Sequence, residues 1–123
     1  MKIVLKGNPP STSHIYKYRS TGKFIMGYMS AEGKKAKKRF QEEMNSQWQS
    51  DVLLGDIKVT AVYFWGDRRR RDIDNFSKLW MDAGTGIIWE DDSQIKQLLL
   101  RMKYCVSNPR VELKVEIKKD DSI

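Results

Sequence analysis

One cysteine and one histidine in 123 residues leave little room for soft-metal chemistry. Cys105 alone excludes an intramolecular disulfide and any zinc site built on several thiolates. His14 alone excludes a site built on several imidazoles. Both scarcities fit a reducing cytoplasm, the expected compartment. Long apolar runs are missing as well. None approaches the roughly 20 residues that a spanning helix needs, so no membrane partner is expected. Met1–Leu5 is too short and too charged for the apolar region of a signal peptide. With no internal repeat, low-complexity tract or linker, residues 1–123 read as one domain, with 118–123 as a frayed tail.

What is present is charge and aromatic bulk. The chain is 40% apolar and 32% charged, with four Trp, five Tyr and four Phe, a globular composition. Its net charge of +7 is uneven. Residues 1–50 carry ten basic and three acidic side chains, and residues 51–123 carry thirteen of each. Basicity of this kind points to a polyanion, usually nucleic acid. Charge alone leaves open an ordinary basic protein.

The periodicities predict an α+β fold in a single small domain, a mixed sheet of about five or six strands packed with two helices. Lys2–Leu5 reads as a strand stopped at Asn8-Pro9-Pro10-Ser11. Ile15–Arg19 and Phe24–Met29 read as strands joined by a Ser20-Thr21-Gly22-Lys23 turn. Ser30 caps a helix in which Ala36, Phe40, Met44 and Trp48 form one apolar stripe. Lys34, Lys35 and Lys38 lie on its other faces, either solvated or facing nucleic acid. Ile57–Trp65 alternates as a strand, buried on both faces toward its end. Asp72–Ala83 reads as a second helix, ended by Gly84 and Gly86. Two further alternating strands run through Leu98–Tyr104 and Val111–Ile117.

The stretch Asp67–Lys78 is chemically the most unusual. Four consecutive arginines, Arg68, Arg69, Arg70 and Arg71, repel one another on a loop and are hard to justify as packing, with a solvated basic loop as the alternative. Opposite a phosphate backbone each guanidinium finds a bidentate partner. Asp72 and Asp74 follow at a loop-to-helix boundary, where two carboxylates two residues apart can converge. Capping of the helix by Asp72 explains them equally well. Lys78, four residues after Asp74, is expected on the same helix face, with Asp82 extending the stripe. A second acidic cluster follows at Glu90-Asp91-Asp92-Ser93. If it folds back beside Asp72 and Asp74, the carboxylates repel unless a cation lies among them. An oxygen-only donor set suits Mg²⁺ or Mn²⁺ rather than Zn²⁺. Carboxylates and arginines together suit phosphodiester hydrolysis.

The run Asp67-Arg68-Arg69-Arg70-Arg71-Asp72-Ile73-Asp74-Asn75, then Lys78, Asp82-Ala83 and Glu90-Asp91-Asp92-Ser93-Gln94-Ile95, closely resembles the RusA family of Holliday junction resolvases, common in bacterial prophages. Pro9-Pro10-Ser11, Ser30-Ala31-Glu32-Gly33 and Pro109-Arg110-Val111-Glu112 resemble it too, so the likeness covers nearly the whole chain in order. It implies a Mg²⁺- or Mn²⁺-dependent endonuclease that resolves four-way DNA junctions by paired symmetric nicks in recombination and repair. By motif position Asp72, Asp74 and Asp92 would be the metal ligands and catalytic carboxylates. Lys78 would assist, as a base or by stabilising charge. Arg68–Arg71 would contact DNA, joined by Lys34, Lys35 and Lys38 of the basic first helix. The stretch from Asp82 to Asp92 is about one residue shorter than in some members, with Gly84 in place of a larger apolar residue. This keeps Asp91 in view beside Asp92. Ser13 stands where the family often has Asn. Two nicks require two sites, so the resemblance also implies a homodimer. Two other readings stay open: a non-catalytic DNA-binding module, and a metal-dependent nuclease for another branched or single-stranded DNA. The nuclease reading asks that Asp72, Asp74 and Asp92 reach one cation at roughly 2.0–2.2 Å.

Overall fold

Residue spacing accounts for most of the elements in the computed structural model, which describes residues 1–119. Among the described residues six strands divide into two sheets. The larger is four-stranded, built from β1 (Lys2–Lys6), β4 (Ile57–Trp65), β5 (Ile95–Tyr104) and β6 (Arg110–Ile117) in the order β1-β6-β4-β5. β1 and β4 flank β6 antiparallel, and β5 runs parallel to β4. The second sheet is the hairpin β2 (Tyr16–Ser20) and β3 (Ile25–Met29). Three helices complete the α+β fold: the single turn α1 (Thr12–Ile15), α2 (Ala31–Gln47) and α3 (Lys78–Gly84).

α2 forms where the stripe predicts it. The Ser30 hydroxyl accepts from the Gly33 amide (3.1 Å), and Glu32 lies in the first turn, favourable to the helix dipole. The stripe buries Phe40 and Met44, and Trp48 follows at the C-cap with its indole N–H on the Asp51 carbonyl. β4 alternates as expected, but with one buried face along its whole length rather than burial on both faces toward its end. Ile57, Val59, Ala61, Tyr63 and Trp65 are buried, and Lys58, Thr60, Val62 and Phe64 are half-covered. The core therefore lies on one face of the larger sheet. Ile3, Leu5, Val111, Leu113 and Val115 join the inward face of β4 there, against α2, α3 and the segment Ile88–Trp89. The Lys118 amide donates to the Asp56 carbonyl (2.9 Å) just past β6. Residues 120–123 of the expected tail lie outside the described residues.

The expected helix over 72–83 is two pieces. Ile73–Asn75 is a 3-10 turn, Phe76 leaves helical geometry at φ −134°, and α3 starts at Lys78. Phe76 is buried edge-on against Trp65 and Tyr63, with centroids 4.8 and 6.3 Å apart. Its spacing to the buried Leu79 and Trp80 is that of one helix face, so its ring turns inward as a continuous helix would turn it, and only the backbone departs from helical geometry. Asp74 and Lys78 consequently do not share a helix face. Lys78 pairs with Asp82 instead (3.8 Å).

Two features generate stability predictions. A Cβ on Gly84 would meet the Trp89 ring at 2.4 Å, so only glycine lets that indole close over the end of α3. Gly84→Ala should cost about 1–3 kcal/mol in urea unfolding, the range for overpacking a dense core. The second feature is acid sensitivity. Glu112 accepts from Lys2 (2.8 Å) and Arg110 (2.7 Å), and these cations hold its carboxyl below the ordinary glutamate value of 4.5. A lowered folded pKa gives stability that is present above the unfolded value and lost as pH falls through the folded one. Glu112→Gln should lower stability at pH 7 and flatten its fall below about pH 4.5, measured as urea midpoints across pH 3–7.

Candidate functional site

The arginine loop leaves the end of β4 and is held by one of its own members. Arg71 stacks on Trp65 (4.0 Å to the ring centroid), pairs with Asp67 (2.9 Å) and donates to the carbonyls of Asp67 and Arg69. Its side chain is only 10% exposed. Asp67 also accepts from the Arg69 amide (2.9 Å), and these contacts hold its carboxyl below the usual range, the backbone bond contributing most. Arg68 lies over Tyr104 (4.3 Å), and Arg69 and Arg70 are exposed. Arg71 therefore shapes the loop, and its neighbours present the charge. A cleft of about 460 Å³ opens beside them, lined by Pro9, Pro10, Ser11, Arg69, Arg70 and Asp72 among others.

Asn75 fastens the next part of the motif. Its Oδ1 accepts from the Ser13 amide and its Nδ2 donates to the Ser13 hydroxyl, both at 3.3 Å. This clasp ties the Asp72–Asp74 turn to α1 and gives Ser13 a structural partner. Asp72 precedes the 3-10 turn but its side chain makes no capping bond, so capping does not explain it. Asp72 and Asp74 are exposed, and neither side chain makes an ion pair or hydrogen bond among the described residues.

A second group of residues meets at the start of α3. Lys78 pairs with Asp82, and the Tyr16 hydroxyl donates to the same carboxylate oxygen, Oδ2. Lys78 also lies over the Tyr16 ring (4.9 Å). Asp92 joins them. Partial burial raises its carboxyl above the ordinary value, the charges of Asp82 and Asp91 add to the rise, and Lys78 opposes it. Burial and then Asp82 push the Tyr16 phenol upward as well, with a smaller contribution from Asp92. Asp91 has a different job. It caps the turn Asp92–Gln94, accepting from the Ser93 amide (3.2 Å), while Gln94 reaches back to the Asp91 and Glu90 amides (2.8 Å each). The backbone bond from Ser93 is the main cause of its lowered pKa.

The structure thus brings Lys78, Asp82, Asp92 and Tyr16 together and leaves Asp72 and Asp74 on the exposed turn that precedes α3. Tyr16 could not be found from the motif, because it comes from the hairpin 66 residues away from Asp82. Asp82 carried a signal, its four-residue spacing from Lys78. Lys34, Lys35 and Lys38 are exposed on α2, away from the buried Phe40 and Met44. Every acidic donor of the site is a carboxylate oxygen, and the crowding of Asp82 and Asp92 is the kind a cation relieves, so the donor chemistry fits a hard divalent ion. Among the described residues no group of three or more His, Cys, Asp or Glu side chains is gathered closely enough to hold one.

The two parts of the loop respond differently to substitution. Arg71→Ala should cost about 1–2 kcal/mol in urea unfolding, and Arg71→Lys should not restore it, because lysine lacks the planar fork that stacks and bridges. Arg69→Ala and Arg70→Ala should change stability by less than about 0.5 kcal/mol.

Known proteins match this chain over most of its length. The family model described as endodeoxyribonuclease RusA matches residues 7–116. Curated relatives named crossover junction endodeoxyribonuclease RusA occur in Escherichia coli K12, Enterobacteria phage 82 and Shigella sonnei Ss046. Each is 28% identical over 108 residues, which span 87% of this chain and 87% of the relative. The matched region holds the arginine loop, the acidic turn, α3 and the Asp92 turn, and by that match the chain belongs to the RusA endodeoxyribonuclease family.

Proposed function

We propose that the protein is a divalent-metal-dependent endonuclease that cuts four-way DNA junctions. The observation that carries this reading is the acidic centre itself. Asp82 and Asp92 crowd one another beside Lys78, in a chain that also exposes Arg69 and Arg70 and whose first fifty residues are strongly basic. Solubility alone gives no reason to keep repelling carboxylates at that place. The names of the relatives supply the substrate class, a crossover junction.

Asp72, Asp74 and Asp92 would hold Mg²⁺ or Mn²⁺. Asp91 supports this choice of Asp92, because its own carboxylate is engaged in capping. Asp72 and Asp74 stand exposed and would have to close on Asp92 as the ion binds. Held there, such an ion would supply Lewis-acid chemistry, polarisation of the scissile phosphate and a more acidic attacking water. The protein's own residues orient and neutralise. Arg69 and Arg70 take the phosphates that flank the cut, each as a charge-assisted fork. Lys78, held by Asp82 and the Tyr16 ring, stabilises negative charge on the phosphate or the leaving oxygen. Lys34, Lys35 and Lys38 extend the basic surface along α2. A C₂ homodimer would set two such sites on one junction and allow paired symmetric nicks.

The dispersal of Asp72 and Asp74 favours one competing reading, a DNA-binding module without catalysis. Cleavage separates the two. A synthetic four-way junction, a linear duplex and a flap would be incubated with Mg²⁺, Mn²⁺ or chelator. The junction should be nicked selectively, only with metal. Asp72→Asn, Asp74→Asn and Asp92→Asn should each lower nicking by at least about a hundredfold, in line with losing one transition-state partner, while junction binding persists. Nicking that survives Asp92→Asn would sink the site. Tight junction binding without nicking in either metal would make the protein a binding module.

A further inference from the structure

The β2–β3 hairpin takes no part in the site beyond its root. Tyr16 touches Asp82 and Lys78, Met29 packs on the core, and the Ser30 amide donates to the Ile15 carbonyl (2.8 Å). Beyond that root every residue from Tyr18 to Tyr28 is exposed. Five strand residues reach roughly 15 Å at the usual rise per residue, so the tip stands well clear of the acidic centre. The turn is closed tightly. Thr21 donates to the Phe24 carbonyl through both its amide (2.9 Å) and its hydroxyl (3.0 Å), and Gly22 supplies the positive φ of 91°.

The composition of this arm is unusual for an exposed hairpin. Phe24 is 65% exposed, Ile25 73% and Tyr18 76%. Exposed apolar side chains concentrated at one tip have no packing reason and mark an interaction surface. Basic residues interleave with them. Lys17 stands opposite Tyr28, Arg19 opposite Met26, and the Arg19 guanidinium lies over the Tyr28 ring (5.8 Å). Lys23 adds a third cation in the turn. No acidic residue precedes Glu32 in the chain, so the arm's charge is uncompensated within it. Two copies of such an arm would repel each other. A polyanion carrying planar groups that can unstack complements both the charge and the apolar tip.

We propose that the β2–β3 hairpin is a DNA-reading arm: Phe24 and Ile25 wedge between bases at the branch point while Lys17, Arg19 and Lys23 hold the flanking phosphates. The proposal rests on the junction-cutting reading and deepens it. Bases at a branch lack a continuous stack, so inserting there costs less than inserting into intact duplex. The arm's root at Tyr16 would fix the distance between the branch and the acidic centre. Selectivity for branched DNA would then reside partly in this arm.

The double variant Phe24→Ser/Ile25→Ser tests it, since both side chains are exposed and the fold does not depend on them. Binding is measured in chelator, so that nothing is cut, on a junction carrying 2-aminopurine beside the branch point and on a linear duplex. Wild-type protein should raise the 2-aminopurine fluorescence as the base unstacks. The variant, with unchanged circular dichroism and thermal midpoint, should lose that rise. It should also bind the junction at least about fivefold more weakly, the low end for losing one stacked base, with linear duplex affinity changed less than about twofold. Unchanged junction affinity and fluorescence would overturn the proposal. So would an equal loss on junction and duplex. A variant that sediments as a monomer where the wild type is a dimer would assign the arm to a second copy and overturn it too. Wild-type protein that bound no junction at all would bring down the nuclease reading together with this one, an outcome separate from a hairpin that fails alone.

Discussion

The indole N–H of Trp80 donates to the Tyr63 hydroxyl at 3.0 Å, fully buried, and much of the site hangs on that bond. Tyr63 is on the central strand β4, and Trp80 is the third residue of α3. Inside the core the Trp80 N–H has no water to fall back on, so losing the Tyr63 hydroxyl leaves it unsatisfied. Burial pushes the Tyr63 phenol up to about 12. Tyr63 also stacks on Trp65 (5.6 Å), which Phe76 meets edge-on and Arg71 covers from outside. One aromatic column thus fixes the arginine loop, the acidic turn and the start of α3 relative to one another. Functional side chains of opposite charge can then stand close without the backbone drifting apart.

Charge is organised around this column in the opposite sense to the chain as a whole. The protein carries +7, but residues 67–92 hold seven acidic and five basic side chains, four of the five being the arginines. Those arginines are not equivalent. Arg71 is consumed by Trp65 and Asp67, Arg68 leans on Tyr104, and Arg69 and Arg70 face solvent. Asp91 and Asp92 divide in the same way, one capping a turn and the other facing Lys78 and Asp82. In each case one member of a repeated pair or run builds the scaffold that lets its neighbour act.

Local periodicity made much of the fold legible. α2 forms over its apolar stripe, β4 alternates from Ile57 to Trp65, and the hairpin turns at Thr21–Phe24, one residue beyond the expected Ser20–Lys23, because each depends on spacing within one segment. The helix expected over 72–83 breaks at Phe76. The spacing of Phe76 to Leu79 and Trp80 carries the burial of its ring, but nothing in that spacing marks the backbone break before α3. Gly84 reads as a departure from the family pattern, and the Trp89 ring that sits where a side chain would go explains it. The division of six strands into sheets of four and two was likewise hidden, since pairing partners are chosen across the chain.

The sequence by itself determined the chemistry on offer: carboxylates without clustered thiols or imidazoles, an arginine run beside them, and a basic first half. These are matters of composition and order, and folding cannot alter them. Tertiary structure decided which of those groups meet. It set Tyr16 on Asp82 from 66 residues away, paired Lys78 with Asp82 rather than Asp74, withdrew Arg71 from solvent and held the hairpin out from the body. Trp65 draws Arg71 inward, and the hairpin root brings Tyr16 to α3. Such contacts join segments far apart in the chain, so local spacing does not contain them, whereas the four-residue spacing of Lys78 and Asp82 does.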